Sequence, residues 1–219
     1  MNVLNMTKED RDGKPNQVVS IATTILLGLI AIATAWSGFQ ATKWGGKMTN
    51  LYAAAGVARS NSVETLLTAN QETLLDVQLF VEWINAINEN DTRRSEFYFQ
   101  RMRDEVTPVM EAWLATNPAD NPDAPESPFA MPVYIQKKRL EAVEKELEAV
   151  DLTEQAIEAN KIGDDYVLTT VILATGLFFA GIAPLRTRHP QIQVIIFIMA
   201  LAAFLYGTYL MISYPVLVS

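Results

Sequence analysis

Three long uncharged stretches of hydrophobic residues interrupt an otherwise polar chain, and they predict three transmembrane helices. The predicted spans cover residues 17–39, 166–185 and 192–215. Twenty helical residues, at about 1.5 Å each, cross the roughly 30 Å hydrocarbon core of a bilayer. The second and third stretches are apolar around their whole circumference, which a soluble core helix is not. The pattern predicts an all-α integral membrane protein.

The polar segments divide the rest of the chain. Residues 1–16 read as a short N-terminal tail, and residues 186–191 as a turn between the second and third spans. Residues 40–165 are long enough for one small helical domain outside the bilayer. We expect this domain to be either a helical hairpin or a compact three-helix bundle.

Within residues 40–165, hydrophobic positions alternate in steps of four and three, which is the 3.5-residue period of a helical seam. The first seam comprises Val63, Leu67, Asn70, Leu74, Val77, Val81, Ile84 and Asn88. A cap at Asn61 with Glu64 fits a helix start here, and an unbroken run from the first span fits as well.

Two further helices are predicted in this domain. One covers about 92–116, with a kink at Pro108, which lacks a backbone donor. The other covers 133–161 and ends at Gly163. Its seam comprises Leu140, Val143, Leu147, Val150 and Ile157. The helix lengths favour an antiparallel hairpin in which the Ala-rich segment 52–58 packs against this last helix.

A proline-rich strap, residues 117–132, joins these two helices. Five prolines in sixteen residues exclude a helix or a central strand and favour an extended, partly polyproline II conformation. Phe129 and Met131 are apolar residues within the strap, so we expect them to dock near Trp113.

The distribution of Arg and Lys predicts the orientation. Arg186 and Arg188 lie in the shortest loop, which places that turn in the cytoplasm by the positive-inside rule. Three spans then place the N-terminus in the cytoplasm and residues 40–165 outside it, in an inner (plasma) membrane. Lys43 and Lys47 weaken this bias, so the reverse orientation remains the alternative.

Composition limits the chemistry. The chain has no cysteine, which excludes disulfides and thiolate metal sites. It has one histidine, which excludes a metal site with two histidine ligands from one chain. Residues 39–165 carry 22 acidic against 12 basic residues, and the whole chain has a net charge of −8. An acidic domain lacks the basic face that nucleic-acid binding requires.

Two groups of carboxylates are candidate cation sites. The last extramembrane helix carries an acidic stripe, and the strap carries three more acids: Glu141, Glu144, Glu148, Asp151, Glu154 and Glu158, then Asp120, Asp123 and Glu126. Solvated faces explain both groups more simply, because lysines pair along the stripe and the strap lacks the glycine of a calcium loop. We therefore predict no metal, cofactor or catalytic site and no enzymatic activity.

The spans contain hydroxyls and small residues but no group that ionises near neutral pH, which disfavours a proton-coupled pump. Small residues recur four apart, and such pairs permit close helix packing within or between chains: Ala33/Ser37, Thr34/Gly38, Gly176/Ala180 and Ala203/Gly207. With Asn70 and Asn88 in the first seam, they predict a homo-oligomer or a membrane-protein partner, besides contact with membrane lipid.

Several segments resemble a family of bacterial three-span membrane proteins. The matching segments lie at 34–41, 79–83, 112–118, 121–125, 128–134, 165–171 and 177–181, and the proline strap is the most specific. The family has no assigned activity, so the resemblance implies the fold and adds no functional residue.

The function predicted from the sequence is that of a membrane-anchored helical interaction or scaffold protein. The alternative is a homo-oligomeric channel or pore subunit, lined by the hydroxyl-bearing face of the first span. An enzyme is the weakest reading, because no nucleophile–base pair, metal cluster or phosphate loop is present in the sequence.

Overall fold

The computed structural model describes residues 17–183 and 190–218, with side chains from 20–183 and 191–218. Five α-helices follow in order, with a 3₁₀ turn at Pro128–Ala130: α1 (Gln17–Asn88), α2 (Thr92–Phe99), α3 (Thr107–Leu114), α4 (Lys137–Ile182) and α5 (Pro190–Ser213). No strand occurs in the described part of the chain, so the predicted all-α class is confirmed.

Helices α1, α4 and α5 are each long and apolar enough to cross a membrane, which confirms the three predicted spans. The predicted tail at 1–16 and most of the predicted turn at 186–191 lie outside the described residues. The spans in α1 and α4 are only parts of longer helices, because no proline separates each span from the extramembrane segment that adjoins it, and the helices continue through the glycines there.

The chain forms two compact units. The span unit comprises the described residues of Met1–Ala53 and Leu152–Ser219, and the head unit comprises Ala54–Asp151. Parts of the predicted domain at 40–165 therefore belong to the span unit.

Small residues allow close helix packing in the span unit. Its core contains Ile30, Leu173 and Ala200. A Cβ placed on Gly176 would lie 3.3 Å from both Ala203 Cβ and Ile30 Cδ1. The predicted pair Gly176/Ala180 thus packs within the chain, as membrane helices with small residues do.

The end of the chain after α5 is held by side chains of α1 and α4. Gln40 is fully buried; its Nε2 donates to the Leu217 carbonyl (3.3 Å), and its Oε1 accepts from the Leu217 N–H (2.9 Å). Trp44 Nε1 donates to the Pro215 carbonyl at 3.1 Å. These bonds satisfy backbone groups that would otherwise be desolvated near the membrane surface.

In the head unit, α1 and α4 run antiparallel and pack through small residues. Ser62 Oγ donates to the Ala142 carbonyl at 2.7 Å, and Arg59 Nε lies 3.3 Å from Glu146 Oε1. The buried small residues of this contact are Ala55, Ala58, Ser62, Ala69, Ala142 and Ala149. The predicted pairing of the Ala-rich part of α1 with the last extramembrane helix is confirmed.

An aromatic cluster closes the other end of the head unit. Its buried residues are Trp83, Met102, Val106, Met110 and Trp113. Phe129 and Met131 pack against this cluster, which confirms the predicted docking of the strap. Trp113 Nε1 also donates to the Pro125 carbonyl at 2.7 Å, so the strap is tied down by a polar contact as well.

The unbroken α1 confirms the second of the two alternatives at Asn61, a helix that continues from the first span. Three other local predictions were wrong, the last of them in part. Residues 92–116 form two helices and not one kinked helix; Pro108 lies in the first turn of α3, where its missing donor costs nothing. Helix α4 continues past Gly163, where a Cβ would meet Trp44 Cβ at an ordinary 3.6 Å. The strap consists mostly of turns and a 3₁₀ turn, with Asn117 at φ 52°. Ser127 and Met131, on either side of the 3₁₀ turn, have extended backbone angles, so the predicted extended strap is correct only in part.

Candidate interaction surface

The predicted seam of α1 lies on the outside of the head unit. Leu67 is 57% exposed and Leu74 69% exposed, and Val63, Val77 and Val81 are exposed as well. Over these residues the predicted seam therefore does not form a core within the single chain. We call these residues, with Asn70 between Leu67 and Leu74, the α1 row.

The buried side of α1 carries smaller and more polar residues than the α1 row. Ser62, Ala69 and Asp76 recur every seven residues and are all buried. At 100° per residue, the α1 row lies roughly 125° round the helix from this buried side. Small side chains occupy the inner face because they let α4 approach closely. Ser62 can then donate a hydrogen bond to the backbone of α4.

Asn70 is exposed and is not part of a core within the chain. Its Oδ1 accepts a hydrogen bond from Arg139 Nη2 at 2.8 Å. The prediction that Asn70 lies buried in its seam is therefore wrong for the single chain. Asn70 still lies between Leu67 and Leu74 along the row, and both of these leucines are exposed.

The seam predicted for the last extramembrane helix is also exposed. Leu147 is 62% exposed, and Leu140, Val143 and Val150 are exposed too. Ala142 and Ala149 are buried in their place. The head unit thus has a second outward row on α4, which we call the α4 row.

The two rows differ in their charged surroundings. The α4 row lies beside Glu144, Glu148 and Asp151, which are exposed. Glu141 accepts a hydrogen bond from Lys145 (2.7 Å), and this contact lowers the pKa of Glu141. The acidic stripe is thus a partly paired, solvated face.

The carboxylates do not converge on a cation position. Among the described residues, no group of three or more His, Cys, Asp or Glu side chains could hold a metal ion. In the strap, Asp120 accepts a hydrogen bond from the Asn117 side chain (3.3 Å), and the Asp123 N–H donates to Asn121 (3.0 Å). The Asp120 carboxylate therefore serves a local turn.

A polar network that sequence reasoning missed holds the head unit together. Asp76 is 1% exposed, and its Oδ1 accepts from Arg103 Nε at 2.9 Å while Oδ2 accepts from Arg103 Nη2. The Tyr134 hydroxyl donates to the same carboxylate at 3.3 Å. This hydrogen-bonded ion pair raises the pKa of Arg103 above its usual range. The only sequence signal is an acidic residue in the seven-residue repeat of the buried face.

The network extends from the segment before α3 to the start of α4. Glu72 pairs with Arg103 (3.0 Å) and with Lys138 at the start of α4. Glu105 lies 2.9 Å from Lys137, whose hydrogen bond lowers the pKa of Glu105. Because these charged groups are paired with one another, the network stabilises the fold and orients α1 and α4.

The hydroxyls of the first span make hydrogen bonds to backbone carbonyls. Thr24 and Thr34 donate to the carbonyls four residues earlier, at 3.0 and 2.7 Å. Ser37 is fully buried and donates to the Tyr166 carbonyl of α4 at 2.9 Å. A pore lined by these hydroxyls would compete with bonds that stabilise the span unit.

An open groove of about 610 Å³ lies beside α1 where the first span ends. It is lined by Thr42, Lys43, Gly46, Lys47, Asn50, Leu51 and Leu217. Lys47 Nζ lies 4.9 Å from the centre of the Trp44 ring. Tryptophan and lysine together at a span end are typical of the lipid headgroup region.

Comparisons with protein-family models, curated proteins and solved structures find no match to this chain. The two exposed rows are consequently the best guide to its role.

Proposed function

We propose that the protein is a membrane-anchored helical interaction or scaffold protein whose head unit binds another helix. One observation carries the proposal: outside the membrane spans, α1 and α4 each expose a row of leucines and valines at heptad spacing. Heptad-spaced apolar rows are the surface that packs into a partner helix in a coiled coil.

The energy of leaving both rows in water supports a binding role. Burying a half-exposed Leu or Val yields on the order of 1 kcal/mol. Each row offers four or five such side chains, arranged in a line and not scattered. Contiguous apolar patches on an extramembrane surface mark sites of protein interaction.

Site-specific photo-crosslinking in native membranes tests this proposal. A photoreactive amino acid at Leu74 or Leu147 should give protein adducts, because these are the most exposed leucines of the two rows. The same group at Asn61, which is exposed but lies off both rows, is the control. Equal adduct yields at all three positions, or none at the leucines, would remove the basis for the proposal.

We also propose the orientation that the arginines of the turn favour, in the inner membrane of a bacterium. The N-terminus is then cytoplasmic and the head unit extracytoplasmic, and the groove beside Trp44 contacts lipid headgroups. Cysteines at Ser127 and Thr187 of this cysteine-free chain should react oppositely with a membrane-impermeant maleimide in intact cells. Labelling at Thr187 alone would reverse the orientation.

A further inference from the structure

Resting on the proposed function, we infer that the occupant of the α1 row is the α1 row of further copies of the same chain, in parallel. The exposed residues fall on core positions of one heptad register. Leu67, Leu74 and Val81 occupy a, while Val63, Asn70 and Val77 occupy d. Such a/d residues pack into holes of a facing helix of the same kind.

The face carries no charge at its centre. In this register every a and d position of α1 from residue 21 to residue 88 holds an uncharged residue. The remainder of the extramembrane sequence is strongly acidic, so copies of the chain repel one another along most other surfaces. The α1 row is where two identical copies can meet without bringing like charges together.

Two of the three charges that flank the face have complementary signs, the third being Lys43 on an e position opposite Gly38. Arg59 falls on g and Glu64 on the following e position, and side chains at g and e form interhelical salt bridges in parallel coiled coils. Arg59 is about half exposed and lies 3.3 Å from Glu146 of its own chain. Its guanidinium group therefore sits at the surface, at the edge of the proposed contact.

Glycines of α1 extend the same register. Gly28 and Gly56 fall on d and Gly46 on a, with Gly38 and Gly45 on g. Among the described residues, nothing lies within 4 Å of the Cβ position of any of these five. Each glycine costs a helix about 1 kcal/mol relative to alanine, and small residues let helices in membranes approach closely. Within each unit, these glycines leave the α1 face open to a neighbour.

Orientation follows from the anchors, because copies that insert in the same direction present α1 in parallel. Parallel packing places each core residue opposite the same residue of the neighbouring copy, so Asn70 of one copy contacts Asn70 of the next. A polar residue at one core position sets the register of a coiled coil. The α4 row is unsuited to the same pairing, since Glu146 falls on g and Asp151 on the following e position, where the two would meet with like charge.

Disulfide scanning tests the inference in the full chain. Single cysteines at Leu74, Leu75, Val77, Gln78 and Val81 are oxidised mildly in native membranes. Leu74, Val77 and Val81 should cross-link to their own copies at least tenfold faster than Leu75 and Gln78. Leu75 is the matched control, because it is also an exposed leucine but lies one residue off the row. A disulfide requires two Cα atoms within about 7 Å of each other. In a bundle of α1 helices only residues that face the bundle axis come this close to their own copies.

Val143→Cys on the α4 row is the second control and should form no disulfide between copies. Cross-linking at Val143 in place of Val77 would overturn the inference. So would photo-adducts at Leu74 that contain only a different protein, although the proposed function would then stand. Loss of both cross-links and photo-adducts would refute both proposals.

Reversal of charge tests the parallel orientation. Arg59→Glu should slow the Val77 cross-link several-fold, because position 59 would then face Glu64 of the neighbour with like charge. Adding Glu64→Arg should restore the rate. An unchanged rate in Arg59→Glu would contradict the assigned register.

Discussion

One buried carboxylate determines how the head unit closes. Asp76 is removed from water and is held by two bonds from Arg103 and one from Tyr134. These partners come from different segments of the chain, so satisfying the carboxylate brings α1, the segment before α3 and the strap's end together. A buried charge without its partner is costly in free energy. The three segments must therefore pack together for Asp76 to be buried.

Arg103→Ala should destabilise the head unit by about 3 kcal/mol, the cost of leaving a buried charge unpaired. Lysine at 103 should recover little, because it cannot bond both oxygens as a guanidinium group does. Urea titration read by protease cleavage of the head unit measures this. Arg101→Ala, an exposed arginine nearby, should change stability by less than about 0.5 kcal/mol.

Two glycines of the span unit should respond oppositely to alanine. A Cβ at Gly207 would lie 2.6 Å from Leu173 Cδ2 and 2.8 Å from its Cγ, so Gly207→Ala should cost about 1–3 kcal/mol by overpacking. At Gly163 the nearest atom is an ordinary 3.6 Å away, so alanine should be neutral or stabilising. Thermal unfolding in one detergent compares the two. A lower melting temperature for Gly163→Ala than for Gly207→Ala would contradict the packing.

At the scale of elements, α1 and α4 each have two faces with different uses. The inner face contains many alanine and serine residues, and the outer face of the head unit is built from leucine and valine. Small residues permit close backbone approach, and larger ones provide apolar area for a partner. This inversion of the usual pattern is the main reason to regard the head unit as an interaction module.

The strap is a structural element, and Phe129 is its anchor. The Phe129 ring lies edge-on to Phe80 (5.6 Å between centres) and to Tyr134 (5.2 Å). Phe129→Ala should cost about 2 kcal/mol, below the range for a fully buried phenylalanine, because the side chain is half-buried. The urea titration described for Arg103 applies. Phe97→Ala, an exposed aromatic of α2, should have a much smaller effect, and equal losses would refute the anchoring role.

At the scale of the whole molecule, self-association would bury what the single chain leaves exposed. The α1 row has leucine at two a positions and valine at two d positions. Leucine at a with β-branched residues at d favours three or four strands over two. A central bundle of α1 helices would leave the acidic stripe of α4 facing solvent.

The assembly should therefore have three or four times the 24.3 kDa mass of one chain. Light scattering in a mild detergent, corrected for bound detergent, measures this. Exchanging the residue types, with isoleucine at Leu67 and Leu74 and leucine at Val63 and Val77, should shift the assembly towards dimers. A wild-type dimer would show that the core geometry is assigned wrongly.

Hydrophobic patterning alone predicted the three spans, the helical domain and the docking of Phe129 near Trp113. These features depend on local periodicity and composition, and they need no knowledge of which helices meet. The predicted kink at Pro108 failed because a proline at a helix start and one within a helix look alike in sequence.

The buried face of α1 was decided only by the tertiary structure. A heptad pattern shows that a helix has a seam, but the pattern is the same whether the partner belongs to the same chain or to another. Here the close approach of Ser62 to the backbone at Ala142 and the pairing of Asp76 with Arg103 select the inner face. Both contacts join residues far apart in the sequence. They turn the leucine and valine row outward because one helix cannot present two opposite faces to the same neighbour.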